Sequence, residues 1–223
     1  QYSPEESYSM EIIGVLDVVS SGTKIFEFRT IGKNDNSSGY KIGIDDIQLV
    51  SPDIIVTAGW GINAERTTGW WPTSQYIENY YGKWYSYSTP GHCPYGIPCD
   101  TIAKFAWKPW GPDFTGFLVP GWYNVYYWLP DGRPDRASNA PYTVYHKGGE
   151  TTYLVDQRQP GGEWKLLGTH FFEQGRAGRS GYVEISNDAD GIVIADSIKF
   201  EYAFSQDAPP PQTPPLQEAE TGT

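Results

Sequence analysis

Residues 139–200 read NAPYTVYHKGGETTYLVDQRQPGGEWKLLGTHFFEQGRAGRSGYVEISNDADGIVIADSIKF. Gly148-Gly149, Pro160-Gly161-Gly162 and Asp188-Ala189-Asp190-Gly191 cut this run into short pieces. Apolar and polar residues alternate inside each piece. Tyr153 shares a face with Val155, and Val183 with Ile185. Val193, Ala195 and Ser197 oppose Ile194, Asp196 and Ile198. A side-chain period of two marks half-buried strands, and glycine pairs between them mark tight turns. Upstream, the same grammar continues in Asp53–Thr57, 75–87 (QYIENYYGKWYSY), Thr101–Trp107 and Gly121–Leu129, and in Glu11–Asp17, Thr23–Ile31 and Tyr40–Val50. No segment carries helical periodicity, so the chain is predicted to be all-β.

The order of these pieces resembles a known family. NAPYTVYHKGG, DQRQPGGEWKLLGT and SNDADGIVIADSIKF, with Arg-Ala-Ser-Asn-Ala-Pro at Arg136–Pro141, are similar to the C-terminal domain shared by golvesin and xanthan-lyase-type secreted proteins. The resemblance runs from about residue 53 to about 203. It implies a β-sandwich of jelly-roll-like build and a carbohydrate-binding role.

Three segments are expected. GYKIGIDDIQLV near the start repeats the design of GIVIADSIKFEY, with Asp45 matching Asp196, Ile47 matching Ile198 and Leu49 matching Phe200. Residues 1–51 therefore read as the closing strands of an earlier, incomplete sandwich. Three strands cannot bury a face by themselves, so they need the following domain or another chain. Residues 53–203 form the sandwich proper. Residues 204–223 are proline-rich and acidic, a linker or tail.

Bulk composition narrows the function. Aromatics make up 16% of residues, with 9 Trp and 17 Tyr, against only 19% charged. That balance suits secreted β domains that meet sugars. The formal net charge of −11, with no basic stripe, excludes nucleic acid as a partner. The acid is uneven: residues 130–180 hold seven Lys/Arg against six Asp/Glu, leaving nine against twenty-one elsewhere. No run of eighteen apolar residues is present to insert in a membrane. The sequence contains no signal peptide, and Gln1 reads as a mature N-terminus or a fragment boundary. Cys93 and Cys99 flank two prolines and a glycine in HCPYGIPCD, a spacing that suits a small-loop disulfide and an oxidising, extracellular setting.

Catalytic signals are weak. There is no GxSxG, HExxH or phosphate-loop pattern. His146 and His170 sit in strand contexts where an edge or surface histidine is ordinary. NDNSSG (34–39) and NDADG (187–191) have the oxygen-rich look of Ca²⁺ loops, but Asx turns account for them and are preferred. Asp196, inside an apolar strand, is expected to accept hydrogen bonds from a neighbouring loop or to meet a buried arginine. No cofactor is expected.

The aromatics are the positive signal, because Trp and Tyr offer flat platforms for the C–H faces of sugars. Tyr126, Trp128, Trp70, Trp71 and Trp164 are the candidates, with Arg133 and Arg136 as donors to acidic sugar groups. The expected function is a non-catalytic, secreted carbohydrate-binding or cell-surface attachment module that holds a larger protein near a polysaccharide. The alternative is a structural subunit of an extracellular filament, sheath or surface layer, in which residues 1–51 pair with other copies of the chain by strand addition.

Overall fold

A computed structural model of the 223-residue chain describes residues 53–58, 64–91, 102–111, 114–117, 119–175 and 181–204. All lie in the unit Pro52–Thr223. The expectations for residues 1–51, for the Cys93–Cys99 disulfide, for NDNSSG and for the tail beyond Phe204 fall outside the described residues.

Every regular element among the described residues is a β-strand. In chain order they are β1 (Ile54–Thr57), β2 (Ala64–Thr68), β3 (Thr73–Ser74), β4 (Tyr85–Ser88), β5 (Lys104–Trp107), β6 (Trp110–Gly111) and β7 (Phe114–Thr115). Then follow β8 (Gly121–Trp128), β9 (Ala140–His146), β10 (Gly149–Val155), β11 (Trp164–Phe172), β12 (Tyr182–Ser186), β13 (Val193–Ala195) and β14 (Ser197–Phe204). Two antiparallel sheets dominate, ordered β1-β14-β8-β11 and β10-β9-β12-β5-β2. A three-stranded sheet, β13-β4-β3, and the pair β6-β7 complete the set.

The two large sheets pack face to face as a β-sandwich. On β8, Tyr123, Val125 and Tyr127 are buried while Trp122, Asn124, Tyr126 and Trp128 are half-buried, the alternation that a strand with one inward face requires. The inward faces meet where Tyr127 lies against Tyr142 at 5.4 Å, and within the five-stranded sheet Trp107 stacks on the same Tyr142 at 6.0 Å with an interplanar angle of 10°. Phe117, Tyr123, Phe172 and Phe200 fill the other end.

The alternation predicted across 193–198 does not hold, and the reason is geometric. All six residues are buried, because the chain changes sheets at Asp196: β13 pairs with β4 while β14 enters the four-stranded sheet. Asp196 itself behaves as expected. Its carboxylate accepts hydrogen bonds from the Tyr81 N–H (3.0 Å) and the Ser197 hydroxyl (3.0 Å). Burial pushes its pKa up to about 7, against the downward pull of these hydrogen bonds.

The aromatic strand predicted over 75–87 also breaks up. Only its end enters β4; the middle is a loop with Asn79 at φ 61° and Gly82 at φ 80°. A left-handed asparagine and glycine end strand geometry locally. His170 differs from a surface histidine: it is buried, its Nε2 shares a hydrogen bond with the Tyr153 hydroxyl (2.9 Å), and its ring stacks on His146 at 4.4 Å. Burial, then the neighbouring His146, lowers its pKa to about 3. A side chain at Gly168 would occupy the place of the Tyr153 hydroxyl, so glycine there lets Tyr153 reach across from one sheet to the other.

Candidate functional site

The outward face of the four-stranded sheet is the most aromatic surface that the strands build. Strand register fixes its members. Trp128 on β8 lies opposite Trp164 on β11 and Ser197 on β14. Tyr126 lies opposite Leu166 and Lys199, and Asn124 opposite Thr169 and Glu201. Ile55 on β1 sits beside Lys199 and is half-exposed. A bulge between Leu166 and Gly168 buries Leu167 and keeps Trp164 on the outward face.

At one end three rings converge. Tyr81, from the loop before β4, meets Trp128 at 5.2 Å and Trp164 at 4.9 Å, and the two tryptophans meet at 5.3 Å. Interplanar angles of 57–71° make this an edge-to-face cluster rather than one flat platform. The Trp128 indole N–H donates to the Asn79 carbonyl (2.7 Å), which anchors the loop carrying Tyr81. At the other end Trp122 packs edge-on against Phe171 at 5.7 Å.

Between the ends the face is polar. The Lys199 ammonium donates to Glu201 (2.8 Å) and lies 4.4 Å from the Tyr126 ring centre and 5.5 Å from that of Trp164. Tyr126 donates its hydroxyl to the other oxygen of Glu201 (3.0 Å). Burial, followed by that carboxylate, raises the Tyr126 pKa. Lys199 and Tyr126 hold the Glu201 pKa down against its burial. Thr169 donates to Asn124 (2.7 Å).

The structure therefore brings Tyr126, Trp128 and Trp164 together and separates the other candidates from them. Trp71 is fully buried and packs edge-on against Phe105 at 5.6 Å; it is a core residue, because its neighbours in the core leave it no solvent. Trp70 is half-exposed beside the turn at Gly69 and contacts none of these rings among the described residues. Arg136 is buried at 5% exposure, with its guanidinium 5.9 Å from the Tyr85 ring centre, and burial lowers its pKa. It cannot reach a surface ligand. Arg133 stays exposed, 3.9 Å from Asp135 and 5.8 Å from the Tyr76 ring centre.

The segments that carry the family resemblance do other work. Gln157 is fully buried and hydrogen-bonds both backbone groups of Ile194 (2.8 Å each) and the Tyr142 hydroxyl (3.1 Å). Asp190 accepts from the backbone and hydroxyl of Ser138, and its own N–H donates to Asn139 (2.9 Å). Asn187 takes the Ala103 N–H (2.7 Å). These residues knot loops together. Among the described residues no three His, Cys, Asp or Glu side chains cluster to hold a metal.

Residues 55–202 match the Golvesin C-terminal domain. The chain belongs to that family. This Golvesin C-terminal domain is 41% identical over 86 residues to xanthan lyase of Bacillus sp. (strain GL1), a stretch covering 37% of the chain and 9% of the lyase. It also resembles the solved structure of a Paenibacillus xanthan lyase, with a TM-score of 0.55 and 30% identity over 77% of the chain and 15% of that protein. The domain thus spans a small part of the length of the lyases it matches.

Proposed function

We propose that the domain is a non-catalytic attachment module of an extracellular, polysaccharide-active protein, and that it holds polysaccharide on the outward face of its four-stranded sheet. The observation that carries this reading is the ring cluster Tyr81–Trp128–Trp164, which continues through Tyr126 toward Trp122 on one face. Rings left half-exposed in a row cost hydrophobic free energy unless something covers them, and sugar C–H faces are suited to do so. The likeness to xanthan lyases over a small share of their length agrees with an accessory role beside a catalytic region.

Affinity electrophoresis through gels containing soluble polysaccharides, xanthan among them, tests the reading. The intact chain should be retarded, and Trp164→Ala should migrate as in a polymer-free gel while keeping its unfolding midpoint within a few degrees. Equal retardation of the two proteins would contradict the assignment of this face.

A further inference from the structure

The charges on the outward face are closed on one another. Lys199 and Glu201 pair at 2.8 Å, and Tyr126 takes the second carboxylate oxygen. Around the rim, Lys165 stands 3.6 Å from Glu163 and donates to the Pro160 carbonyl (2.6 Å). Lys147, whose ammonium lies 5.1 Å from the Phe171 ring centre, stands 3.2 Å from Glu173. Arg133, on the loop tied to Asn79 through Asp131, stands 3.9 Å from Asp135. Each of these four cations already faces an acid, and the chain as a whole carries a net charge of −11. A polyanion approaching this face would meet no unpaired positive charge among these four groups.

The face is also long. Trp122 and Trp128 lie six residues apart on one strand, about 20 Å at the rise of roughly 3.4 Å per residue of antiparallel strands. Apolar rings stand at both ends, with amide, hydroxyl, ammonium and carboxylate groups of Asn124, Thr169, Lys199 and Glu201 between them. A single sugar cannot touch both ends.

We infer that the ligand of this face is an uncharged stretch of an extended polysaccharide several sugars long, recognised by ring stacking at the two ends and by hydroxyl hydrogen bonds in the middle. This rests on the glycan-binding reading given above. Charged substituents on such a polymer would point away from the face. Lys199 acts here as a hydrogen-bond donor and as a cover for Tyr126, its charge already neutralised by Glu201.

The test is affinity electrophoresis and calorimetry of the intact chain with hydroxyethylcellulose as a neutral polymer and alginate as an acidic one. Both are run at about 20 mM and about 500 mM NaCl, where the Debye length falls from roughly 20 Å to roughly 4 Å. The neutral polymer should bind equally at both salt concentrations, a cello-oligosaccharide should compete, and glucose should not. Lys199→Met should change neutral-polymer affinity by less than about tenfold, the range of one net hydrogen bond. Preferential binding of alginate that weakens tenfold or more with salt and is lost in Trp164→Ala would overturn the neutral-ligand inference while leaving the binding face standing. Competition by glucose as strong as by the oligosaccharide would overturn the extended-ligand part. No retardation by any polymer would overturn the binding reading itself, and the inference with it.

Discussion

Two regions of this domain use polar and aromatic residues in opposite ways. In the knot formed by 136–141, 156–159 and 187–194, nearly every polar side chain is committed: Gln157 to Ile194 and Tyr142, Asp190 to Ser138, Asn187 to Ala103 and Ser88. On the outward face of the four-stranded sheet the rings stay partly in solvent, and the polar groups of Asn124, Tyr126, Thr169, Lys199 and Glu201 bond to one another along the surface rather than to buried backbone. The knot contains much of the sequence that carries the family resemblance, and the face contains the surface that can meet a ligand. A motif can therefore identify a domain while saying little about what it binds, because buried hydrogen bonds constrain residue identity more tightly than a solvated stacking surface does.

Breaking the knot should have the largest effect. Gln157→Leu takes the buried acceptor from the Ile194 N–H and leaves the Ile194 carbonyl and the Tyr142 hydroxyl only their long mutual bond (3.3 Å), which costs on the order of 3 kcal/mol. Urea denaturation should show the midpoint falling sharply, whereas any protein that remains folded at low temperature should still bind polymer. A variant with unchanged stability would mean that the bonds at Gln157 are replaced by water.

A second test uses two buried titrating groups with opposite signs. The folded state holds the Asp196 proton up to about pH 7, against an ordinary value of 3.8, so its contribution to stability falls as pH rises between those values. His170 has its pKa lowered from 6.5 to about 3, so the unfolded chain binds the extra proton in that window and stability is lost on acidification. The two slopes oppose each other from roughly pH 4 to roughly pH 6.5, each at most about 1.4 kcal/mol per pH unit. His170→Gln should therefore gain stability relative to the native protein as pH falls through this window, and Asp196→Asn should lose it. Urea midpoints measured across the window check both signs; parallel profiles for all three proteins would show that neither group carries the linkage.

Sharpening the face gives an intermediate effect. Trp164→Ala should weaken polymer binding tenfold or more, about 1.4 kcal/mol, and Trp122→Ala by a smaller factor, since Trp122 stands at the far end from the three-ring cluster of Tyr81, Trp128 and Trp164. Isothermal titration with one polymer preparation ranks them. Equal losses would place the ligand across the whole face with no dominant end.

The smallest expected effect is none. Asn187 and Asp190 direct their oxygens at Ala103 and Ser138, so adding a chelator should leave the melting temperature where it is. A drop of several degrees would restore the NDADG loop as a Ca²⁺ site.

Much of this was legible in the sequence, for identifiable reasons. The turns at Gly148-Gly149 and Pro160-Gly161-Gly162, the strand at Gly121–Leu129 and the all-β class followed from period-two alternation and turn chemistry, whereas the β-sandwich was what the family resemblance implied. Tyr126, Trp128 and Trp164 were visible as aromatics, and Trp122 and Asn124 share the same period on the same strand. Lys199 and Glu201 were readable from the alternation in SIKFEY, although their partnership with Tyr126 depends on strand register. Tyr81 carried no signal, because it reaches the cluster from a loop whose path depends on the Trp128–Asn79 hydrogen bond. Trp71 and Arg136 show the reverse failure: a side chain suited to a ligand is equally suited to a core, and only packing distinguishes the two.

The central claim, that one outward face binds polysaccharide, is tested most directly by the indole N–H resonances of the 9 tryptophans during titration with a soluble polysaccharide. The account predicts that the Trp122, Trp128 and Trp164 signals shift and saturate together, while those of buried Trp71 and Trp107 stay in place. Saturable shifts confined to Trp70 or to tryptophans away from this face, with Trp128 and Trp164 unmoved, would contradict it.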